Sequence, residues 1–337
     1  MQDKIEVFME IYDRRCQQGS ARVPLSGVGR RQLRVRLTDE TVSPMRPVRI
    51  SPSLSFEEIS MRYALNLPAF GAFADARALA SLAREAEDAG WDGFFIWDHI
   101  QSESGMAVAD PWVTLTAIAM KTERIHLGAL VTPLPRRRPW KVARETATLD
   151  HLSGGRLIVG VGSGSDQWYR EYSTFGEPVD DKTHAAVLDE GLAVLTGLWS
   201  GELFSYEGQH YSIRDALFLP PPVQSPRIPI WVAGIWPNKA PMRRAAHWDG
   251  VCPIVEGHLV QPEEVREMLT YIRQHRPTDD PFDVVVCGYL GNHDPVEAAA
   301  LLTSYAEAGV TWWQEGFLGN DTLNDVRERI HQGPPSF

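Results

Sequence analysis

The sequence predicts an α/β protein: a (β/α)8 TIM barrel with two insertions and an irregular N-terminal extension. Three observations predict it. From residue 61 onward, strand-like and helix-like segments alternate through eight units, the count of a closed barrel. The strand-like segments are short runs rich in Leu, Ile and Val, as expected where both faces are buried. Residues 125–166 read as strand, loop, helix, strand and glycine loop, with connections short enough to impose a parallel pair and a right-handed crossover. A doubly wound open sheet is the alternative. The even continuation of the repeats, without a change of composition that marks a second domain, argues against it.

The first strand is 62–67. A helix over 73–89 puts Leu79, Leu82, Ala83 and Ala86 on one face and stops at Gly90. The second strand is 93–97. Asp110 caps a helix with Pro111 in its first position, running to about Lys121. The third strand, 124–131, is stopped by Thr132-Pro133. The helix 140–150 starts after Pro139 and ends before Ser153-Gly154-Gly155, and the fourth strand is 156–161. A long helix, 181–199, turns Leu188, Leu192, Leu195 and Leu198 inward. Strands over 230–233, 250–254, 282–289 and 309–315 then alternate with helices over 239–247, 262–275, 294–308 and 322–331. Asp294-Pro295 repeats the Asp-Pro start.

Two insertions interrupt the pattern. Residues 163–179, after strand four, are polar and aromatic. Residues 201–226, between strands four and five, include 203–213, which reads as a hairpin turning near Glu207-Gly208. Long connections in a compact domain serve binding or act as lids. Residues 1–60 hold 10 basic and 8 acidic residues, against 23 and 36 in 61–337. Beyond an amphipathic pattern over 1–18 they show no sustained period, so they read as a poorly ordered extension to a barrel of 61–337. Either Met61 is the true start or the tail is real and flexible. Peptides from 1–60 in the natively expressed protein separate these readings.

The chain has 337 residues and a net charge of −11, and that acidity argues against nucleic acid as a partner. There is no apolar run of about 18 residues and no apolar signal core, so neither a membrane span nor secretion by that route is expected. Cys16, Cys252 and Cys287 are widely spaced, which fits a reduced cytoplasmic location. The histidines form no HExxH pair and no Cys/His cluster, so no metal is expected.

Chemistry in such a barrel belongs at the carboxyl ends of the strands. Strand two ends in Asp98-His99. Histidine there is a general acid/base or a hydrogen-bond donor to a bound ring, and the bland alternative is a capping Asp beside an exposed His. The loop Gly160-Val161-Gly162-Ser163-Gly164 allows close backbone approach to a flat or anionic ligand, or is simply a tight turn. Arg136-Arg137-Arg138 reads as a solvated turn, with an anion clamp as the sharper alternative. Ala233-Gly234 closes strand five, with Arg243 and Arg244 on the helix that follows, a pattern consistent with phosphate binding. Trp312-Trp313 reads as core.

Together the segments 89–99, 127–133, 147–156, 160–164 and 230–234 resemble the bacterial luciferase-like monooxygenase family of flavin- and F420-dependent oxidoreductases. The run Leu149-Asp150-His151-Leu152-Ser153-Gly154-Gly155-Arg156, leading into a glycine loop, is its most specific piece. The resemblance implies a barrel that binds F420 or reduced FMN at its carboxyl-end mouth. It implies a bulge after strand three, often with a non-proline cis peptide, near Ala129, Leu130 and Val131, with Thr132 able to contact the ring. It implies His99 near the reacting ring atom, oriented by Asp98. It implies cofactor contacts from Gly162, Ser163, Gly164, Ala233 and Gly234, with Arg243 toward the phosphate. The insertions would exclude water and, through Trp168, Tyr169, Tyr172, Phe204 and Tyr206, shape an apolar or aromatic substrate pocket. F420-dependent sugar-phosphate dehydrogenases of the family place a catalytic acid just after the glycine loop, where this chain has Ser165 and then Asp166. The expected protein is an oxidoreductase acting on a small molecule, as a homodimer. A non-catalytic flavin- or ligand-binding barrel is the rival.

Overall fold

Alternating side-chain environments along short parallel strands set the architecture. The computed structural model describes residues 61–102, 105–291 and 293–335, so the extension 1–60 lies outside the described residues. The elements in chain order are β1 (Arg62–Leu67), α1 (Ala76–Asp88), β2 (Gly93–Ile96), α2 (Pro111–Lys121), β3 (His126–Ala129) and β4 (Thr132–Pro133). Next come α3 (Pro139–Ser153), β5 (Val159–Gly162), α4 (Asp166–Tyr169), α5 (Asp181–Trp199), β6 (Leu203–Glu207) and β7 (Ser212–Leu217). The chain closes with β8 (Ile230–Trp236), α6 (Lys239–Ala245), β9 (Gly250–Val255), α7 (Pro262–Arg273), β10 (Asp283–Gly288), α8 (Pro295–Ala308), β11 (Trp312–Gly316) and α9 (Leu323–His331).

The nine strands of the main sheet run in the order β3-β2-β1-β11-β10-β9-β8-β5-β4. Every pair in it is parallel. Its two end strands are consecutive in the chain, separated only by Leu130 and Val131, and are halves of one barrel strand. The first half pairs with β2 and the second with β5. A bridge from Leu127 to Leu157 completes the ring. The expected open-sheet alternative is therefore excluded, and eight barrel positions remain.

Residues at one parity point inward. Ala64, Phe95, Leu130, Ile158, Trp231, Val285 and Trp312 pack as a cluster inside the ring. Their neighbours, such as Leu65, Phe94, Val159, Val232, Val286 and Trp313, join the larger cluster between strands and helices. The expected inner faces hold: Leu79, Leu82, Ala83 and Ala86 are fully buried on α1, as are Leu188, Leu192, Leu195 and Leu198 on α5.

Helix starts follow local chemistry. Asp110 accepts from the Val113 amide and Asp294 from the Val296 amide, each with proline in the first turn. The helix expected over 73–89 begins later, because Asp75 caps Ala76. The fourth strand also begins later than expected, at Val159. Before it, Arg156 is 8% exposed and spreads its guanidinium over Ala119 O, Thr122 O, Thr122 Oγ1 and Ile125 O, capping the end of α2. Asp150 is fully buried and accepts from the amides of Val223 and Gln224. Gly154 and Gly155 take φ of +65° and +83° to end α3.

The two insertions go to different places. The strands β6 and β7 form the expected hairpin, as a separate antiparallel pair. It packs on the outer helices: Glu190 of α5 accepts from the amides of Gln209, His210 and Tyr211, and Arg144 of α3 covers the Phe218 ring. The first insertion instead folds back onto the end of β2.

Candidate active site

His99 follows the end of β2, and its position is fixed by residues that the sequence keeps far away. Its Nδ1 lies 3.2 Å from Glu171 Oε2, in the insertion after β5. The other oxygen of Glu171 accepts from the Ile100 amide at 2.6 Å. Gln101 ties the two loops further, donating to Tyr169 O at 2.7 Å. The His99 ring sits among aromatic neighbours: Tyr169 at 4.1 Å between centroids, Phe70 at 5.9 Å and Trp97 at 6.1 Å. With Nδ1 held by a carboxylate, Nε2 is the ring nitrogen available to a ligand.

Asp98 does not share this role, which corrects the expectation that it orients His99. Its carboxylate, 1% exposed, accepts from Arg136 at 2.5 Å, Arg137 at 2.7 Å and the Trp112 indole at 3.1 Å. Arg136 also forms an ion pair with Glu171. The three arginines are therefore not a solvated turn: Arg136 and Arg137 neutralise two buried carboxylates, and Arg138 alone is exposed. Burial opposes ionisation of Asp98, but Arg137 and Arg136 outweigh it and hold the carboxyl below its usual range. Burial likewise opposes ionisation of Glu171, and the bond to His99, the Arg136 charge and the Ile100 amide more than offset it.

Across the mouth lies a cradle of small residues. The Leu130–Val131 peptide is cis, at the bulge between β3 and β4. A Cβ on Gly162 would come within 2.9 Å of Val131 Cγ2 and 3.7 Å of Ala233 Cβ, so three strands converge there. A Cβ on Gly160 would meet Leu130 at 2.3 Å. Gly164, at φ +72°, faces Tyr172, whose hydroxyl donates to Ser163 O at 2.9 Å. Ala129 packs on the helix side of the ring and Thr132 is fully buried beside Asp98. Gly234 points outward, where a Cβ would meet Pro241 and Met242, so Ala233 is the inward member of that pair. Arg243 is exposed on α6, while Arg244 pairs with Asp189. Phe204 and Tyr206 stack within the outer hairpin, away from His99. A cavity of about 410 Å³ beside Arg62, Trp91 and His126 opens at the amino end, opposite these residues.

Glu171 is the residue that sequence reasoning missed. The one available signal was an acid in the insertion after the glycine loop, at a chain whose Ser165 replaces the acid expected there. Ser165 itself caps α4, accepting from the Gln167 amide at 3.1 Å.

A model described as luciferase-like monooxygenase matches residues 55–316. The chain belongs to this luciferase-like family. Among curated relatives it is 38% identical over 159 residues to an F420-dependent glucose-6-phosphate dehydrogenase of Beutenbergia cavernae, 45% of each chain. It is 34% identical over 164 residues, 47% of each chain, to the protein of that description in Nakamurella multipartita. The matched part thus spans less than half the length of these relatives. Solved structures also superpose on this chain. An F420-dependent tetrahydromethanopterin reductase from Methanopyrus kandleri superposes with TM-score 0.67 at 18% identity, over 81% of this chain and 98% of that one. An F420-dependent secondary alcohol dehydrogenase gives 0.67 at 15% identity, over 82% and 98%. The long-chain alkane monooxygenase LadA gives 0.62 at 15%, over 81% and 90%. These likenesses establish the barrel. Among the described residues, no helix is long and apolar enough to cross a membrane.

Proposed function

We propose that this chain is an oxidoreductase that uses F420 or reduced FMN on a small organic substrate at the carboxyl-end mouth of the barrel. The observation that carries the reading is the His99–Glu171 contact, set at the rim of the same mouth as the small-residue cradle of Gly160, Gly162 and Ala233. The residues fit a planar group. A side chain at Gly162 would fill the space beside Val131, and the glycine leaves it open. Leu130, Val131, Gly162, Ser163, Gly164 and Ala233 would hold the ring, with Ala129, Thr132 and Gly234 shaping the strand ends behind it and Arg243 reaching toward the phosphate.

When bound, F420 supplies a hydride carrier, whereas reduced FMN can also activate oxygen. The protein's share is proton placement and exclusion of water. An ionised Glu171 accepts a hydrogen bond from His99 Nδ1–H, which leaves Nε2 as the ring nitrogen for the ligand. His99 can then take a proton from a substrate hydroxyl or return one. Phe70, Trp97 and Tyr169 surround the imidazole and limit water around it. The curated relatives favour the F420 arm. The catalytic unit in this reading is 61–337, with 1–60 an extension outside it, the location cytoplasmic, and no nucleic acid involved. A homodimer is part of the proposal: Val113 and Met120, on one face of α2, are 67% and 68% exposed and would be covered in it. Light scattering of the purified chain tests that point. Incubation with F420 and with FMN, following absorbance and oxygen uptake, tests the rest: binding with turnover supports the enzyme, binding without turnover supports a ligand-binding barrel, and binding of neither refutes both.

A further inference from the structure

We propose that Asn66 and Gln314 form a recognition pair on the inner wall of the mouth, for an uncharged ligand edge that presents a carbonyl beside an N–H or O–H. The inference rests on the functional reading above and names the chemistry that the site accepts.

The barrel interior is layered. Ala64, Phe95, Ile158, Trp231, Val285 and Trp312 form its apolar floor. Two residues further along the same strands stand Asn66, Trp97, Gly160, Ala233, Cys287 and Gln314. A step of two keeps the same side of a strand, so this second layer lies above the floor, toward the carboxyl ends. On the β5 and β8 side it consists of Gly160 and Ala233. On β1, β10 and β11, which adjoin one another, it is polar. Asn66 Nδ2 donates to Gln314 Oε1 at 3.0 Å and lies 4.0 Å from Cys287 Sγ. Cys287 and Gln314 are register partners.

Asn66 is 7% exposed and Gln314 2% exposed. Asn66 Oδ1 and Gln314 Nε2 are nonetheless buried without a hydrogen-bond partner in the protein. Buried polar groups are rarely left so, and here an acceptor and a donor are orphaned on two amides that are bonded to each other. Rotating both amides by half a turn reverses their mutual bond but still leaves one oxygen and one NH2 unsatisfied. The pair therefore offers one acceptor and one donor in either arrangement. A ligand edge with C=O beside N–H or O–H satisfies both. An anionic group does not match, because this layer contains no charged side chain, and Arg136 and Arg137 are already paired with Asp98 and Glu171. Two sources carry the matching edge: the pyrimidinedione end common to FMN and F420, and an amide or hydroxyketone group of a substrate.

The test uses the full chain and its Asn66→Leu, Gln314→Met and double variants, which keep approximate shape and remove the hydrogen-bonding groups. Propionamide is the minimal probe, followed by saturation-transfer NMR without cofactor; FMN and F420 dissociation constants come from fluorescence, and thermal midpoints report folding. The wild type is expected to show transfer to propionamide and the variants to lose it, with midpoints equal or raised. If the edge belongs to the cofactor, the variants weaken FMN or F420 at least about tenfold, and cofactor displaces propionamide. If it belongs to the substrate, cofactor affinity stays within about twofold, and propionamide still binds the loaded protein. Propionamide binding to a wild type that takes up neither FMN nor F420 supports the pair and removes the cofactor reading. The pair is overturned if the wild type shows no transfer, or if the double variant shows as much as the wild type with cofactor affinity unchanged. The wild-type measurement decides even where a variant fails to fold.

Discussion

Glu171 Oε2 stands 3.2 Å from His99 Nδ1, across 72 residues of chain, while the adjacent Asp98 turns its carboxylate to Arg136 and Arg137. The imidazole is thus oriented by the insertion after β5 and not by its sequence neighbour. Glu171→Gln keeps the shape but removes the charge that fixes the Nδ1–H tautomer. Turnover is expected to fall roughly tenfold or more, part of the ~10²–10⁴-fold that a positioned acid–base group supplies. Steady-state kinetics with F420 or FMN bound checks this; an unchanged kcat would place the orienting role elsewhere.

His99→Ala is expected to keep the fold and abolish most turnover, by ~10²-fold or more. The ring is half-buried among Phe70, Trp97 and Tyr169, so its loss opens a small surface gap and leaves the barrel core intact. Circular dichroism and the thermal midpoint check the fold, and kcat checks the role. Full activity in a folded variant would remove His99 from the chemistry.

The barrel was legible because most of its strands are short apolar runs and two of its helices start on Asp-Pro pairs: both α2 and α8 begin at the residue that their caps dictate. The most specific family run proves to be structural. Asp150, Gly154, Gly155 and Arg156 hold a distant loop, end α3 and cap α2, and none of them lines the mouth. The site was less legible. Glu171, Arg136 and Asp98 acquire their meaning only when the insertion after β5 folds over the end of β2, and nothing local to an acid in a polar loop reveals a partner on another strand. Parity also separates Ala233 from Gly234, which adjacency in sequence cannot do.

Asp98→Asn should destabilise the protein by about 3–5 kcal/mol, since it leaves the Arg136 and Arg137 charges inside with less compensation. Urea unfolding at neutral pH measures this. The pH dependence has a definite sign. Asp98 and Glu171 both have depressed folded-state pKa values. Their contribution is therefore fully present above the unfolded values of about 3.9 and 4.3, and is lost as pH falls through the depressed values. Wild-type stability should drop steeply in that acid window, and the Asp98→Asn variant should lack part of the drop. Parallel acid profiles would show that the carboxylate is not held as the geometry implies.

Gly162 and Gly164 should fail differently when substituted. At Gly162 the backbone is ordinary and only space is at issue: a first carbon meets Val131 Cγ2 at 2.9 Å and faces Ala233. Gly162→Ala should weaken cofactor binding, and Gly162→Val should weaken it further by filling the cradle, with less effect on the thermal midpoint. At Gly164 the backbone holds φ +72° and an added carbon would lie 2.3 Å from the Tyr172 hydroxyl. Gly164→Ala should thus cost stability, of the order of 1–3 kcal/mol from the backbone alone, and should disturb the Tyr172 bond to Ser163 O. Cofactor titration beside thermal unfolding separates the two. If Gly162→Val binds F420 and FMN as tightly as the wild type, the planar group does not rest between Val131 and Ala233.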